Sequence, residues 1–225
     1  MLVRLSWSAR LMLPVLISLS TLAIPAFALT PQEVVARVQQ KYDITGAFKA
    51  YFRQESRLRT SGTTDTAEGL VYFRKPCQMR WEYQKPPGQR KEVISDGQQV
   101  WIYIPQDHMV MVYPLGQVLR SDLVMRFFSG LGELQKDFNI AWRRPYQEGR
   151  PLKIDLRPVT PQPELQWLAL TVDPQSYVVQ ALEFANAYGD QTYITFNQLQ
   201  LNVQLKSDFF SFTPPPGVEV VTDSM

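Results

Sequence analysis

The sequence is short of the residues on which most enzyme chemistry depends. Its 225 residues include one histidine, His108, and one cysteine, Cys77. A lone cysteine excludes an internal disulfide and a thiolate zinc cage. A lone histidine leaves metal ligation and histidine-dependent acid/base catalysis a single candidate. No Gly-x-Ser-x-Gly elbow, phosphate-binding glycine loop, dinucleotide fingerprint or His-Glu-x-x-His pair occurs. His108 stands between two apolar runs, where an exposed loop residue is the plainer reading than a triad member. Cys77 follows Pro76 at a strand start and reads as a half-buried thiol rather than a nucleophile. The 21 acidic residues permit carboxylate pairs in space, but nothing in the sequence singles one out. No enzyme activity, metal or cofactor is therefore expected.

An excess of one charge is missing too. The formal net charge of +2 comes from the first 28 residues, which hold Arg4 and Arg10 and no acid. Without them the chain has 21 basic residues against 21 acidic ones. That balance removes the compositional support for a nucleic-acid partner. The same 28 residues read as a cleaved secretory leader: a basic start, an uncharged apolar stretch from Leu11 to Leu22, and the small-x-small site Ala26-Phe27-Ala28. The apolar stretch is too short to span a bilayer comfortably, which disfavours the alternative of an uncleaved anchor. No lipobox cysteine follows it, so release as a soluble protein into the periplasm of a two-membrane bacterium is expected. An oxidising space is consistent with so little cysteine.

What is present is mostly strand, with one strong helix signature. Thr30 is a good N-cap, Pro31 suits the first helical position, and Glu33 completes a capping box. Leu29 and Val34 form the hydrophobic staple, and Val34, Val38 and Tyr42 recur on one face, widened by Val35. From Gly46 the period changes to two. Phe48, Ala50 and Phe52 alternate with Lys49, Tyr51 and Arg53, and Leu70 to Phe73 begins a second run. Met79, Trp81 and Tyr83 alternate with Arg80, Glu82 and Gln84. Val93-Ile94 and Val100 to Ile104 flank Asp96-Gly97, a hairpin signal, and Met109 to Tyr113 follows. Strand connections this short predict an antiparallel meander. Ser121 or Asp122 can cap a helix carrying Leu123, Val124, Phe127, Phe128 and Leu131, which Gly130 and Gly132 end or kink. Further strands are predicted over 138–142, 152–156, 165–172, 178–184 and 192–205. With no repeat and no dividing linker, residues 29–225 are expected to form a single domain of about ten or eleven strands with two or three helices.

Both faces of the strands around Trp101 and Tyr113 are apolar. Val100, Ile102 and Ile104 point one way and Trp101 and Tyr103 the other; Met109 and Met111 oppose Val110 and Val112. A sheet wet on one side alternates with polar residues, so both sides here must be covered. The bland reading is a barrel or half-barrel core filled by its own helix. The sharper one is an adaptable apolar surface rich in methionine and aromatics.

Four motifs in order carry a family resemblance. Phe48-x3-Phe52-x-Gln54 is similar to the first strand of the outer-membrane lipoprotein carrier (LolA) family. The segment from Phe73 through Arg74-Lys75-Pro76 to Met79-Arg80-Trp81-Glu82-Tyr83 resembles its strand, Arg-Pro turn and aromatic strand. Asp96-Gly97-x3-Trp101-x-Tyr103-x-Pro105 resembles its next hairpin, and Phe210-x-Phe212-x-Pro214-Pro215-x-Gly217-Val218 its C-terminal end. With the leader, the resemblance runs over nearly the whole chain. It implies a mostly β fold with some helix: an incomplete antiparallel β-barrel whose apolar concave face is lidded by helices. It also implies a periplasmic chaperone that binds the acyl chains of lipoproteins. Such a carrier receives its cargo from an inner-membrane lipoprotein-releasing ABC transporter and hands it to an outer-membrane receptor, working as a monomer. At about 0.8 kcal/mol per CH₂, one acyl chain left in water costs on the order of 10 kcal/mol, so the job needs a lined cavity and no catalytic residue.

On this reading the cavity and lid are lined by Phe52, Phe73, Met79, Trp81, Trp101, Tyr103, Met109, Met111, Leu123, Phe127 and Phe128, and side-chain alternation turns part of the set outward. One position departs from the family. An arginine immediately before the motif proline helps to hold the lid there, whereas this chain has Lys75, with Arg74 just before it. Lysine lacks the planar fork of arginine, and Arg74 can replace it only if the strand bulges. Lys75 is thus either the lid latch or a solvated turn residue. Beside the lipoprotein carrier stand a periplasmic carrier or sensor of another lipid on the same fold, and a hydrolase acting through His108 or a carboxylate pair, which the scarcity of histidine disfavours. The leader reading has a direct check. N-terminal sequencing of the protein from its native host should begin at Leu29, and an intact Met1 or residence in the membrane fraction would contradict it.

Overall fold

The computed structural model describes residues 29–121 and 133–222. The leader expected at residues 1–28, and Leu123, Phe127 and Phe128 of the expected lid, lie outside them. The first helix, α1 (Pro31–Asp43), is capped as its sequence dictates. Glu33 N–H donates to Thr30 Oγ1 at 3.2 Å, and Thr30 N–H donates to Glu33 Oε2 at 2.8 Å. These bonds satisfy two of the donors that a helix start leaves orphaned. Val34, Val35, Val38 and Tyr42 form its buried stripe.

Six strands then run as a meander: β1 (Ala47–Arg57), β2 (Thr64–Arg74), β3 (Gln78–Lys85), β4 (Lys91–Asp96), β5 (Gln99–Ile104) and β6 (Met109–Pro114). Among the described residues two helical segments follow, α2 (Leu115–Ser121) and the single turn α3 (Leu134–Asp137). A second meander comprises β7 (Phe138–Trp142), β8 (Leu152–Pro158), β9 (Trp167–Val172), β10 (Val179–Ala185) and β11 (Gln191–Leu201). A short β12 (Glu219–Thr222) ends the described chain. The strands form one 12-stranded sheet in the order β12-β6-β5-β4-β3-β2-β1-β11-β10-β9-β8-β7. β1 and β11 join the two meanders, β7 and β12 are free edges, and the sheet does not close. Every neighbouring pair is antiparallel except β12 with β6.

The mostly β, open-barrel fold is as expected, with two differences. β12 is the strand that sequence reading missed. Its four residues are all exposed and carry no alternating pattern; the β6 edge organises them, through Glu219 N–H donating to His108 O at 2.8 Å. Ser121 ends a helix that begins at Leu115, and the helix expected to follow it lies outside the described residues.

Register assigns the faces. Phe48 pairs with Phe73, Phe73 with Met79, Met79 with Ser95, Ser95 with Val100 and Val100 with Tyr113, so these residues share one face. In the second meander Ile154 and Leu156 of β8, Leu168 and Leu170 of β9, Leu182 of β10, and Ile194 and Phe196 of β11 continue that face. The stripe of α1 packs on it within one apolar core. The Tyr42 ring stands edge-on to Phe48 at 5.8 Å, and its hydroxyl accepts from Val179 N–H at 3.3 Å. Burial raises the Tyr42 pKa, so the hydroxyl stays neutral.

The other, convex face is covered in the first meander by the C-terminal segment. Phe209 meets Tyr72, and Phe212 meets both Trp101 and Tyr103. Phe210 is fully buried beneath the guanidinium of Arg74, 4.8 Å from its ring centroid. This cover is why strands around Trp101 are apolar on both sides.

Gly69 marks the tightest approach in the sheet. β2 and β3 shift register between Glu68 and Gly69, and a Cβ at Gly69 would lie 1.8 Å from Glu82 O. A backbone atom cannot yield that distance without breaking the pairing. Gly69→Ala should therefore cost about 2–3 kcal/mol, at the upper end of overpacking penalties, read as a lower urea midpoint. Gly46→Ala, where nothing lies within 4 Å, is the control and should change little.

Candidate functional site

The concave face of β1–β6 is mostly apolar, and the described residues bury it fully at one end and partly at the other. At the end beside the α1 C-terminus, Phe48, Phe73, Met79 and Val100 are 3 % exposed or less. Toward the other end Trp81, Tyr83, Val93, Ile102, Ile104, Met109 and Met111 are only half-buried. An aromatic ladder connects the two. Phe48 stacks on Phe73 at 4.9 Å, Phe73 meets Trp81 at 6.2 Å, and Phe52 stands edge-on to Trp81 at 4.9 Å and to Tyr83 at 5.0 Å. Aromatic edges and faces packed in this way present a broad apolar wall with little rotamer freedom.

The open end is a cleft of about 420 Å³, lined by Tyr83 and Ile104 together with Gln54, Lys85, Lys91 and Gln106. The Tyr83 hydroxyl donates to Gln54 Oε1 at 3.5 Å. Burial pushes the Tyr83 pKa up to about 12, so it too is neutral at any ordinary pH.

The expected lining set divides on this geometry. Phe52, Phe73, Met79, Trp81, Met109 and Met111 share the concave face. Trp101 and Tyr103 do not: Trp101 pairs with Ile94 and Tyr103 with Glu92, on the convex side beneath Phe212. Their place in a common lining set is corrected by the pleat, which sends adjacent residues to opposite faces. Leu123, Phe127 and Phe128 lie outside the described residues. The concave face also holds Tyr83, Val93, Ile102 and Phe196, absent from the expected set. Tyr83 and Ile102 were readable by counting in twos from Trp81 and Val100; Phe196 comes from a distant strand whose register the sequence does not display.

The two basic residues of the turn have separate tasks. Lys75 Nζ donates to Tyr42 O at 2.6 Å and Asp43 O at 3.2 Å, the last carbonyls of α1. Its backbone N–H donates to Gly46 O at 2.9 Å. A cation at a helix C-terminus meets the terminal carbonyls and the negative end of the dipole. Arg74 faces the opposite way, with guanidinium N–H groups donating to Lys206 O at 2.9 Å and Ser207 O at 3.1 Å and Nε donating to Gln78 Oε1 at 2.7 Å. Thus Lys75 holds the helix on the concave side and Arg74 holds the C-terminal segment on the convex side. His108 occupies a left-handed, exposed position between β5 and β6. Cys77 is half-buried, and burial pushes its thiol pKa up, away from the thiolate that nucleophilic chemistry needs.

Comparison with known proteins agrees with this architecture. The sequence matches the family described as outer membrane lipoprotein carrier protein LolA over residues 44–213. Two proteins named outer-membrane lipoprotein carrier protein are similar to it. That of Nitrosomonas europaea is 25% identical over 214 residues, covering 95% of this chain and 99% of the relative. That of Dechloromonas aromatica is 29% identical over 205 residues, covering 89% and 95%. An uncharacterized conserved protein from Thermus thermophilus shares the fold, with a TM-score of 0.54 at 14% identity, over 85% of this chain and 98% of that one.

The Lys75 contacts have a local consequence. Lys75→Leu should free the last turn of α1, speeding amide hydrogen exchange at residues 39–43 by about tenfold, from loss of one or two charge-assisted bonds. Lys75→Arg should preserve protection, and exchange in β8 and β9 should be the same in all three proteins.

Proposed function

This chain belongs to the LolA family of outer membrane lipoprotein carrier proteins, and we propose that it works in the periplasm as a monomeric, non-enzymatic chaperone for the acyl chains of lipoproteins. Residues 1–28 serve as its export signal, and residues 29–225 act as one carrier domain. In this reading it accepts lipoproteins from an inner-membrane releasing transporter and passes them to an outer-membrane receptor; the names of its relatives support lipoproteins as the cargo.

The observation that carries this reading is the half-covered apolar face from Phe48 to Ile104. Acyl chains have no directional groups to recognise, so a carrier needs apolar area, shape and exclusion of water rather than specific bonds. A chain laid against Trp81, Met109 and Met111 escapes a hydration cost on the order of 10 kcal/mol. The carrier must also give the chain up. A face built from methionine and aromatic rings, left half-wet at one end, binds by adaptable contact and leaves a route for release. Lys75 suits the lid latch in this scheme: its bonds to α1 are two, one part-buried and one exposed, few enough to open and remake during transfer.

A charge placed on this face tests the reading. Met111 is half-buried on the concave side, so Met111→Glu should fold, with an unchanged circular dichroism spectrum. Its affinity for a fluorescent fatty acid should fall at least tenfold, because the buried end of the ligand would desolvate a carboxylate. Tyr188→Glu, at a loop residue 68% exposed, should bind as wild type does. Equal binding in all three proteins would contradict the assignment of the cavity.

A further inference from the structure

The apolar face ends on a cation. Lys91 is the first residue of β4 and pairs in register with Tyr83, which sets it on the concave side at the open cleft. Its ammonium sits 4.3 Å from the centroid of the Tyr83 ring. Among the described residues no carboxylate forms an ion pair with it. Lys85, the other cation lining the cleft, is held by Glu68 at 2.8 Å, and Glu92 beside Lys91 is engaged by Arg80 on the convex side at 2.6 Å. Asp65 and Asp107 also border the cleft, but both are exposed and neither reaches the ammonium. Burial holds the Lys91 pKa below the usual lysine range, as expected of an ammonium that has shed water and gained no counter-ion.

A half-buried charge without a partner is a cost that folding alone does not explain. The Tyr83 ring offsets part of it through its negative face and leaves N–H donors directed away from the ring free for an incoming acceptor. We propose that Lys91 is an anion-recognition site at the mouth of the cavity, where it selects acyl ligands whose head carries a carboxylate or a phosphate over those with an uncharged head. The inference rests on the reading of the concave face as the acyl-chain site, and it adds to lipoproteins, whose linked chains end in no free anion, a further class of acyl ligand. The geometry suits such a ligand. From Tyr83 back to Met79 the strand runs about 13 Å, so a chain whose head meets Lys91 lies along Trp81 toward the sealed end. In this partly dry setting an ammonium–anion contact is worth more than on an open surface.

Binding of oleic acid, oleyl phosphate and oleyl alcohol, at low ionic strength, to wild type, Lys91→Met and Lys91→Arg separates the possibilities. Wild type should prefer one or both anions over the alcohol by about tenfold or more, the ratio expected of one charge-assisted bond. A preference for the carboxylate alone or the phosphate alone supports the proposal and names the head group. Lys91→Met should bind the alcohol as wild type does and lose the preference, and Lys91→Arg should keep it. An equal ratio in wild type and Lys91→Met overturns the proposal while leaving the acyl site intact. Loss of the alcohol in Lys91→Met assigns the residue to structure and overturns it likewise. If wild type binds none of the three, the acyl-chain reading of the face falls and this inference falls with it.

Discussion

One apolar face running across β1 to β11 of the sheet is the constraint on which this molecule depends. Such a surface cannot stay wet, and an open sheet cannot hide it by closing on itself. The chain solves the problem unevenly. Over the second meander the face is packed into a dry core with α1, where Ile154, Leu156, Val172 and Val179 are fully buried. Over the first meander the same face carries larger and softer side chains, and its cover thins toward Ile104 and Met109. The dry half provides the stability that lets the other half remain available.

Two neighbouring basic residues organise the covers of this sheet. Arg74, the last residue of β2, and Lys75, the first of the turn that follows, reach to opposite sides of the sheet, and each closes on backbone carbonyls of a different segment. Arg74 uses its planar fork on consecutive carbonyls of the C-terminal segment and stacks on Phe210, a rigid arrangement suited to a permanent cover. Lys75 presents a point charge to the end of α1, a contact that tolerates small movements of the helix. The chemistry of each side chain matches the permanence its position requires.

Much of this was legible in the sequence, for identifiable reasons. The capping box at Thr30 and Glu33 is a local device, and α1 begins where it dictates. Period-two runs such as Met79-Trp81-Tyr83 assign a strand and its face without reference to any partner. The cover on the convex face near Trp101 followed from the absence of polar alternation, whereas the partial exposure of the concave face there did not. Which face was the cavity did not follow, because that depends on register across β3, β4 and β5, and so Trp101 and Tyr103 were grouped with residues on the other side. β12 was illegible because its pairing is supplied by the edge of β6 rather than by its own side chains. Lys91 passed unnoticed for a related reason: a lysine at a strand start is ordinary until its neighbours prove to be apolar and its counter-ions engaged elsewhere.

The face, the latch and the unpaired cation converge on a single claim, that acyl chains rest on the concave side of the first meander. The most direct measurement is site-specific photo-crosslinking in the native periplasm, with the reactive side chain placed at Met111 or, on the convex face, at Tyr193, which is 44% exposed. The account predicts that Met111 captures acylated lipoproteins, with the crosslink on the acyl chain, and that Tyr193 does not. Capture of lipoproteins from Tyr193 alone, or equal capture at both sites of proteins that bear no acyl chain, would contradict it.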